Sequence, residues 1–546
     1  MRLFKFSTAR LACILAAFLS LTAPIARAQD ALHPLLYFYL TTANGPLVAD
    51  DSGNLYGATK GGSGAPGGLL YQLKTDSSSY STLYQYGRQG NWQGALPGAG
   101  LLLIKNDQLN GGLDSLYGVT QASSYSTGAG LRGGGTIFRV STDGSNYTKL
   151  FEFNEVSTTS NVANANDTGG APKAALIMGN DGYLYGTTTL GGANGTGTVF
   201  KILADGTDFT VLHEFAPLLG TTNADGNVEN DDGVYPDRQL ALSSDGTTLY
   251  GAITHGGTNG AGVVFSLATD KSSFVVIHTF DEIQAAVTST DSNGTTTVIT
   301  PRYNNDGAYP LSGPVIATDS MGTTYLYGTT SQLGSYSSTT GNTAATGNTA
   351  ATAGTLYSVA LGSGTYQVLK VFEVDNSNTS IAAVAADGGT PSGQLIVSSD
   401  QCPITGGTCL IGTTLSGGPP DNTASGGTLT GTPAGTIFSF DLNTPTDAAA
   451  FQTLTTARFT LESSTSTGTG PNTGVVEDSN GNFYGVAAGG ANGYGVVYTY
   501  GAQPLNGPMG AQPPASSGGA LSWWFLNALS LLVAARWLQV NYARIR

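Results

Sequence analysis

The sequence predicts an all-β protein: a seven-bladed β-propeller with four antiparallel strands per blade, closed by an N-terminal strand, with one C-terminal transmembrane helix. Three observations carry this. A Leu-Tyr-Gly phrase recurs seven times, at spacings of 61, 68, 65, 77, 84 and 73 residues. The seventh unit stops one strand short, while the chain opens on an apolar stretch, LLYFYL at 35–40, that belongs to no unit. Hydrophobic residues make up 40% of the 546, with 78 glycines and only 10% charged residues. That composition suits a secreted β protein with a large core.

Residues 1–28 read as a secretory signal peptide. A basic start, MRLFKFSTAR, precedes a short apolar run, and Ala26-Arg27-Ala28 offers cleavage between Ala28 and Gln29. The propeller is assigned to 29–503.

Each unit holds four β phrases, rich in β-branched and aromatic residues and bounded by turn residues. The first opens on a proline, as at Pro236 and Pro391. The second is Leu-Tyr-Gly, as at Leu184-Tyr185-Gly186, with degenerate copies Leu410-Ile411-Gly412 and Phe483-Tyr484-Gly485. The third is Gly-Thr-Val-Phe or a variant, as at Gly197-Thr198-Val199-Phe200. The fourth is aromatic at both ends, as in FTVLHEF at 209–215. Asp181-Gly182 and Asp205-Gly206 supply the positive φ angles of tight hairpins. Glycine inside a strand costs stability, so the Leu-Tyr-Gly glycine implies a close approach by a neighbouring sheet. Four strands per long period define a blade. The stretch at 35–40 supplies the strand missing from the last blade, which leaves no unpaired edge.

Residues 504–519 form a Gly/Pro/Ser-rich spacer. Residues 520–538 read as a transmembrane or sorting helix, and 539–546 as a basic tail. The apolar run of about 16 residues rises ~24 Å, slightly short of a ~30 Å bilayer core. Trp523, Trp524 and Trp537 suit its interfaces, and Arg536, Arg544 and Arg546 favour a cytoplasmic C-terminus.

The net charge is −15. Leader and tail hold seven basic residues and no acid, so the body carries about −22. Such a body repels phosphate backbones and excludes nucleic acid as a partner class. The body's two cysteines, Cys402 and Cys409, are closely spaced and suggest a disulfide.

No catalytic centre is legible. Most acids sit in Asp-Gly turns, where the carboxylate bonds the backbone. Glu152 and Glu214 are repeat-equivalent, as are His213 and His278, which marks scaffold. The loop ADGNVENDDG at 224–233 leaves Ca²⁺ open as a cofactor, with oxygens from Asp225, Asn227 and Glu229, although the EF-hand glycine is replaced by Asn230. Insertions gather in the loops between second and third strands and between blades, which share one face. Loops carry function disproportionately. On that face Tyr235, Tyr309 and His255 are the candidate binding residues; the alternative is tyrosines that pack their own blade junctions. The expected function is non-enzymatic binding of an extracellular glycan or protein at the envelope. The alternatives are a glycan-cleaving enzyme using carboxylates near the axis and a purely structural envelope component.

Two resemblances add to this. The motif D-G-x-L-Y-G-T-T…G-G…G-T-V-F-K at 181–201 resembles the GloVer (Gloeo_Verruco) tandem repeat of exported bacterial proteins, over roughly 42–500. It implies a surface or envelope protein and carries no established reaction. The tail, with Gly518-Gly519 before an apolar helix and arginines, resembles the GlyGly-CTERM sorting signal. It implies processing by a rhombosortase-type protease and at least transient anchoring.

Overall fold

The computed structural model describes residues 31–511, except 63–64, 88–92, 127–129, 156–165, 224–225, 283–286, 291–295, 301–303, 305, 333–353, 373–388, 400–401, 403–406, 417–434, 444–449, 455–469, 472, 489–493 and 502–508. The described residues fall within one compact unit that ends at Ala511, and the unit at 512–546 lies outside the described residues. The leader, its cleavage site at Ala28 and Gln29, the helix expected at 520–538 and the Gly518-Gly519 signal therefore all fall outside. Among the described residues, no helix is long and apolar enough to cross a membrane.

Seven sheets form the seven blades of an all-β propeller, each on a plan of four antiparallel strands. Blade 3 shows the plan: Ile177–Met178 innermost, then Tyr183–Thr188, Thr198–Leu203 and Thr210–Glu214. Leu-Tyr-Gly always lies on the second strand. Its glycine pairs directly with the aromatic residue of the third, as Gly186 with Phe200 and Gly57 with Tyr71. The close approach expected at this glycine is thus made within the blade, by a ring that lies over it. A Cβ on Gly186 would meet Phe200 Cζ at 2.6 Å. Two positions on, a buried threonine pair ties the same strands, with Oγ1 atoms 2.9 Å apart for Thr188–Thr198 and for Thr330–Thr355.

The turns are tight, and within the Asp181-Gly182 and Asp205-Gly206 pairs the glycine, not the aspartate, holds positive φ. Gly182 and Gly206 have φ of 84° and 91°. Each preceding aspartate accepts instead from the backbone two residues on, as Asp181 does from Tyr183 and Asp205 from Thr207. This is a type I turn followed by a left-handed glycine, the usual three-residue hairpin.

The ring closes as expected, with a longer strand. Ala31–Phe38 is the fourth strand of blade 7, antiparallel to Val496–Gly501. It starts before residue 35 because Pro34 sits at a bulge, where its missing N–H is tolerated. It stops at Phe38, and Tyr39 and Leu40 are exposed. Leu35 and Leu36 are fully buried. Met509–Ala511 then pairs parallel to Ala31–Phe38 as a fifth strand, within the stretch read as spacer. It covers an edge that ring closure alone leaves open.

Candidate functional site

The blade junctions are built alike. Leu96, Ala171, Tyr235, Tyr309 and Thr390 precede the blade-opening prolines and hold φ between 51° and 59°. L-residues rarely adopt this conformation. A backbone bond to the preceding blade stabilises it: Leu96 donates to Gly67 at 2.7 Å, Tyr235 to Thr196 at 2.9 Å and Tyr309 to Ala261 at 2.9 Å. Each proline ring then packs on the glycine of that blade's third strand. A Cβ on Gly197 would lie 2.7 Å from Pro236 Cδ, and one on Gly262 the same from Pro310. At the closing junction Ala43 takes the proline's place against Gly495.

Immediately after these junctions, the chain turns into the innermost strands. They enclose an axial cavity of about 450 Å³, lined from every blade, from Asn44 in blade 1 to Thr473 in blade 7. The connectivity starts each inner strand on the face of the inter-blade loops, so the lining residues lie toward that face. Close backbone contacts hold the wall. The Ala99 N–H donates to the Lys173 carbonyl at 2.6 Å, and a Cβ on Gly474 would clash with the Gln394 carbonyl at 2.2 Å. The charged lining residues are Lys60, Lys173, Asp237 and Arg238. Arg238 Nε lies 3.1 Å from Asp237 Oδ1 but makes no aligned hydrogen bond.

The sequence candidates are partly assembled. His255 and Tyr309 come together, with ring centroids 5.7 Å apart. Tyr309 is buried, and its hydroxyl accepts from Asn227 at 2.8 Å and Asn223 at 3.3 Å. Tyr235 is half-buried at the preceding junction. Burial lowers the His255 pKa below 6.5; Asp237 opposes this and Arg238 reinforces it, which couples His255 to the cavity's ion pair. His255 Nδ1 is buried without a hydrogen-bond partner among the described residues.

In the loop considered for calcium, Asp225 lies outside the described residues. Asn227 gives its amide to Tyr309, and the Glu229 N–H donates to Thr221. Asp232 accepts from the Ala216 N–H at 2.8 Å and lies 2.9 Å from His213 Nε2, and Asp306 meets His278 in the same way at 2.7 Å. These histidines stack on Phe274 and Tyr366. The repeated pairs pin the inter-blade loops. Among the described residues, no group of three or more His, Cys, Asp or Glu is placed to hold a metal ion.

Cys402 and Cys409 are both buried, in one cluster with residues of blades 6 and 7. Their side chains are hydrogen-bonded and stand as two free thiols. Desolvation first, then contact with Cys402, pushes the Cys409 thiol well above its usual range.

The axial cavity was not legible as a site. Its lining is spread over blades remote in sequence, and the only signal was that Lys173 and Asp237-Arg238 follow junction prolines where other blades place uncharged residues.

Fold and site together define a tandem-repeat β-propeller with an axial cavity. Residues 37–216 and 156–290 match the Gloeobacter/Verrucomicrobia repeat family, and the motif at 181–201 falls within both segments. The family likeness read from that motif is borne out over this part of the chain. Comparison with curated proteins gives no match. Among solved structures, oligogalacturonate lyase from Vibrio parahaemolyticus aligns over 85% of this chain and 91% of its own, at 10% identity and a TM-score of 0.41. A PL25 ulvan lyase aligns over 87% and 96%, at 10% identity and 0.40. TolB from Acinetobacter baumannii aligns over 75% and 68%, at 11% identity and 0.27. Likeness at this level bears on neither reaction nor substrate.

Proposed function

We propose that the chain is an exported, envelope-anchored, non-enzymatic repeat protein whose loop-rich propeller face binds an extracellular glycan or protein, centred on the axial cavity. The observation that carries this is the convergence of all seven blades on one cavity, at the face to which the sequence assigns the inserted loops. Rigid strands present variable loops around a preformed concavity, the usual setting of a ligand site. The tail anchors the chain, and a rhombosortase-type protease acts near Gly518 and Gly519.

The glycan-cleaving alternative is less well supported. Paired carboxylates are its usual requirement. Among the described residues, the cavity lining holds one carboxylate, Asp237, set against Arg238.

The test is a glycan array and an extracellular-protein screen with the detergent-solubilised full chain, assayed in parallel for turnover. Retention of a ligand without turnover is expected. Turnover abolished by Asp237→Asn would replace this reading with the enzyme, and a screen that returns no ligand would favour a structural component.

A further inference from the structure

We infer that the axial cavity is an anion site that takes a small ligand through a carboxylate, sulfate or phosphate group. This rests on the reading of the cavity as the ligand site and adds the chemical class.

The first argument is the sign of the charge. The chain has 36 acidic and 21 basic residues, and removing the seven basic residues of leader and tail leaves 14 in the body. The cavity inverts that ratio, with Lys60, Lys173 and Arg238 against Asp237 alone. In a body of about −22, most positions favour acids or neutral residues, so three cations around one opening are out of keeping with the surface. A cleft with low-dielectric walls focuses such a local field outward, where it attracts ions of opposite sign.

The second argument is that two of these cations have no protein counter-ion and the third has a poorly aligned one. Elsewhere, Lys105 pairs with Asp51 and Lys149 with Glu152. Among the described residues, Lys60 and Lys173 have no carboxylate or other hydrogen-bond acceptor for the ammonium. Arg238 meets only Asp237, off-axis, and its Nε–H has no aligned acceptor. Among the described lining residues, one carboxylate against three cations leaves a net +2 unneutralised. Charged groups held together in a concavity stabilise a bound oxyanion through charge-assisted hydrogen bonds.

The third argument is departure from the repeat. Scaffold residues recur from blade to blade: the Leu-Tyr-Gly glycine, the threonine pair, the junction proline. The three cations come from blades 1, 3 and 4 and do not recur. Lys173 and Asp237 directly follow Pro172 and Pro236, whereas the other junction prolines are followed by Gly98, Leu311, Ser392 and Asn472. The folding plan does not require a charge there. The main chain is nonetheless fixed, by the bond between Ala99 and the Lys173 carbonyl and by the neighbouring prolines. A volume of about 450 Å³ lies within the range of small-molecule sites.

Calorimetric titration of the full chain with glucuronate, glucose and sulfate tests this. Glucuronate and glucose share a ring and differ chiefly in one carboxylate, and sulfate reports the oxyanion alone. Saturable glucuronate or sulfate binding is expected, weakening as salt rises, with glucose at least about tenfold weaker. Lys173→Met and Arg238→Met should each weaken the anion about tenfold. Lys173→Arg should retain binding and Lys105→Met should leave it unchanged. Unfolding curves for every variant separate lost binding from lost fold. Glucose binding as tightly as glucuronate would overturn the anion class and leave the ligand face standing. Anion binding indifferent to both methionine variants, or absent from the folded chain, would overturn the site itself.

Discussion

Gly186 and Phe200 face each other across the second and third strands of blade 3, and the ring occupies the space that a side chain at 186 would need. The same pairing recurs in every blade, from Gly57 with Tyr71 to Gly485 with Tyr498. An aromatic ring laid over a strand glycine offsets the glycine's cost by shielding its backbone and fixing register. Gly186→Ala would place a Cβ 2.6 Å from Phe200 Cζ. The expected cost is about 1–3 kcal/mol from overpacking, measured by denaturant unfolding. In Gly186→Ala/Phe200→Leu the two losses should be less than additive, since the second change removes the clashing atom. Strict additivity would show that the ring does not limit position 186.

The closing strand should carry a full share of stability. Leu36 is fully buried opposite Val497. Leu36→Ala is expected to cost about 2–5 kcal/mol. Hydrogen exchange should then quicken first in Val496–Gly501 and in the blade 1 strands packed on the closing strand. Faster exchange confined to residues 31–38 would show that the ring holds without this strand.

Acid should weaken the fold in two stages. Burial lowers the pKa of His255 and of His33 below 6.5. Their folded state favours the neutral ring, so this contribution is whole above pH 6.5 and erodes as pH falls below it. Asp143, Asp205, Asp245 and Asp270 are held below 3.8, first by serine or threonine hydroxyls and then by backbone N–H groups. Their contribution is present above pH 3.8 and is lost as pH falls through the lower folded values. Stability measured against pH should show both declines, and His255→Phe should reduce the first. An unchanged first decline would assign it to other groups.

Cys402 and Cys409 are in contact, so oxidation should join them without rearranging blade 6. In the reduced native chain, thiol alkylation should be slow, because burial raises the Cys409 pKa and withholds the reactive thiolate. After export through an oxidising compartment, both cysteines should label only after reduction. Immediate labelling of both in the unfolded, unreduced chain would show that no disulfide forms.

Much of the fold was legible because each blade repeats the same local solution. The Leu-Tyr-Gly and Gly-Thr-Val-Phe phrases fix two adjacent strands and their register, and the missing fourth strand of the last unit announced Ala31–Phe38. The strand Met509–Ala511 was not legible, since three residues, Met-Gly-Ala, have no β pattern of their own. Tyr309 looked available for a ligand, but its hydroxyl is taken by Asn223 and Asn227, whose loop carries no mark of that contact. The cavity cations were visible as residues but not as neighbours, because only closure of the ring brings blades 1, 3 and 4 around one opening.

That closure also sets an order of events. Synthesis delivers Leu36 near the start and Val497 near the end, so the earliest strand to emerge is the last to find its partner. Until then both rims of the nascent disc expose unsatisfied backbone to any passing strand, and loop-closure entropy makes this long-range pairing the slow step. A ribosome stalled before Val497 would display an incomplete crescent, prone to join its neighbours edge to edge.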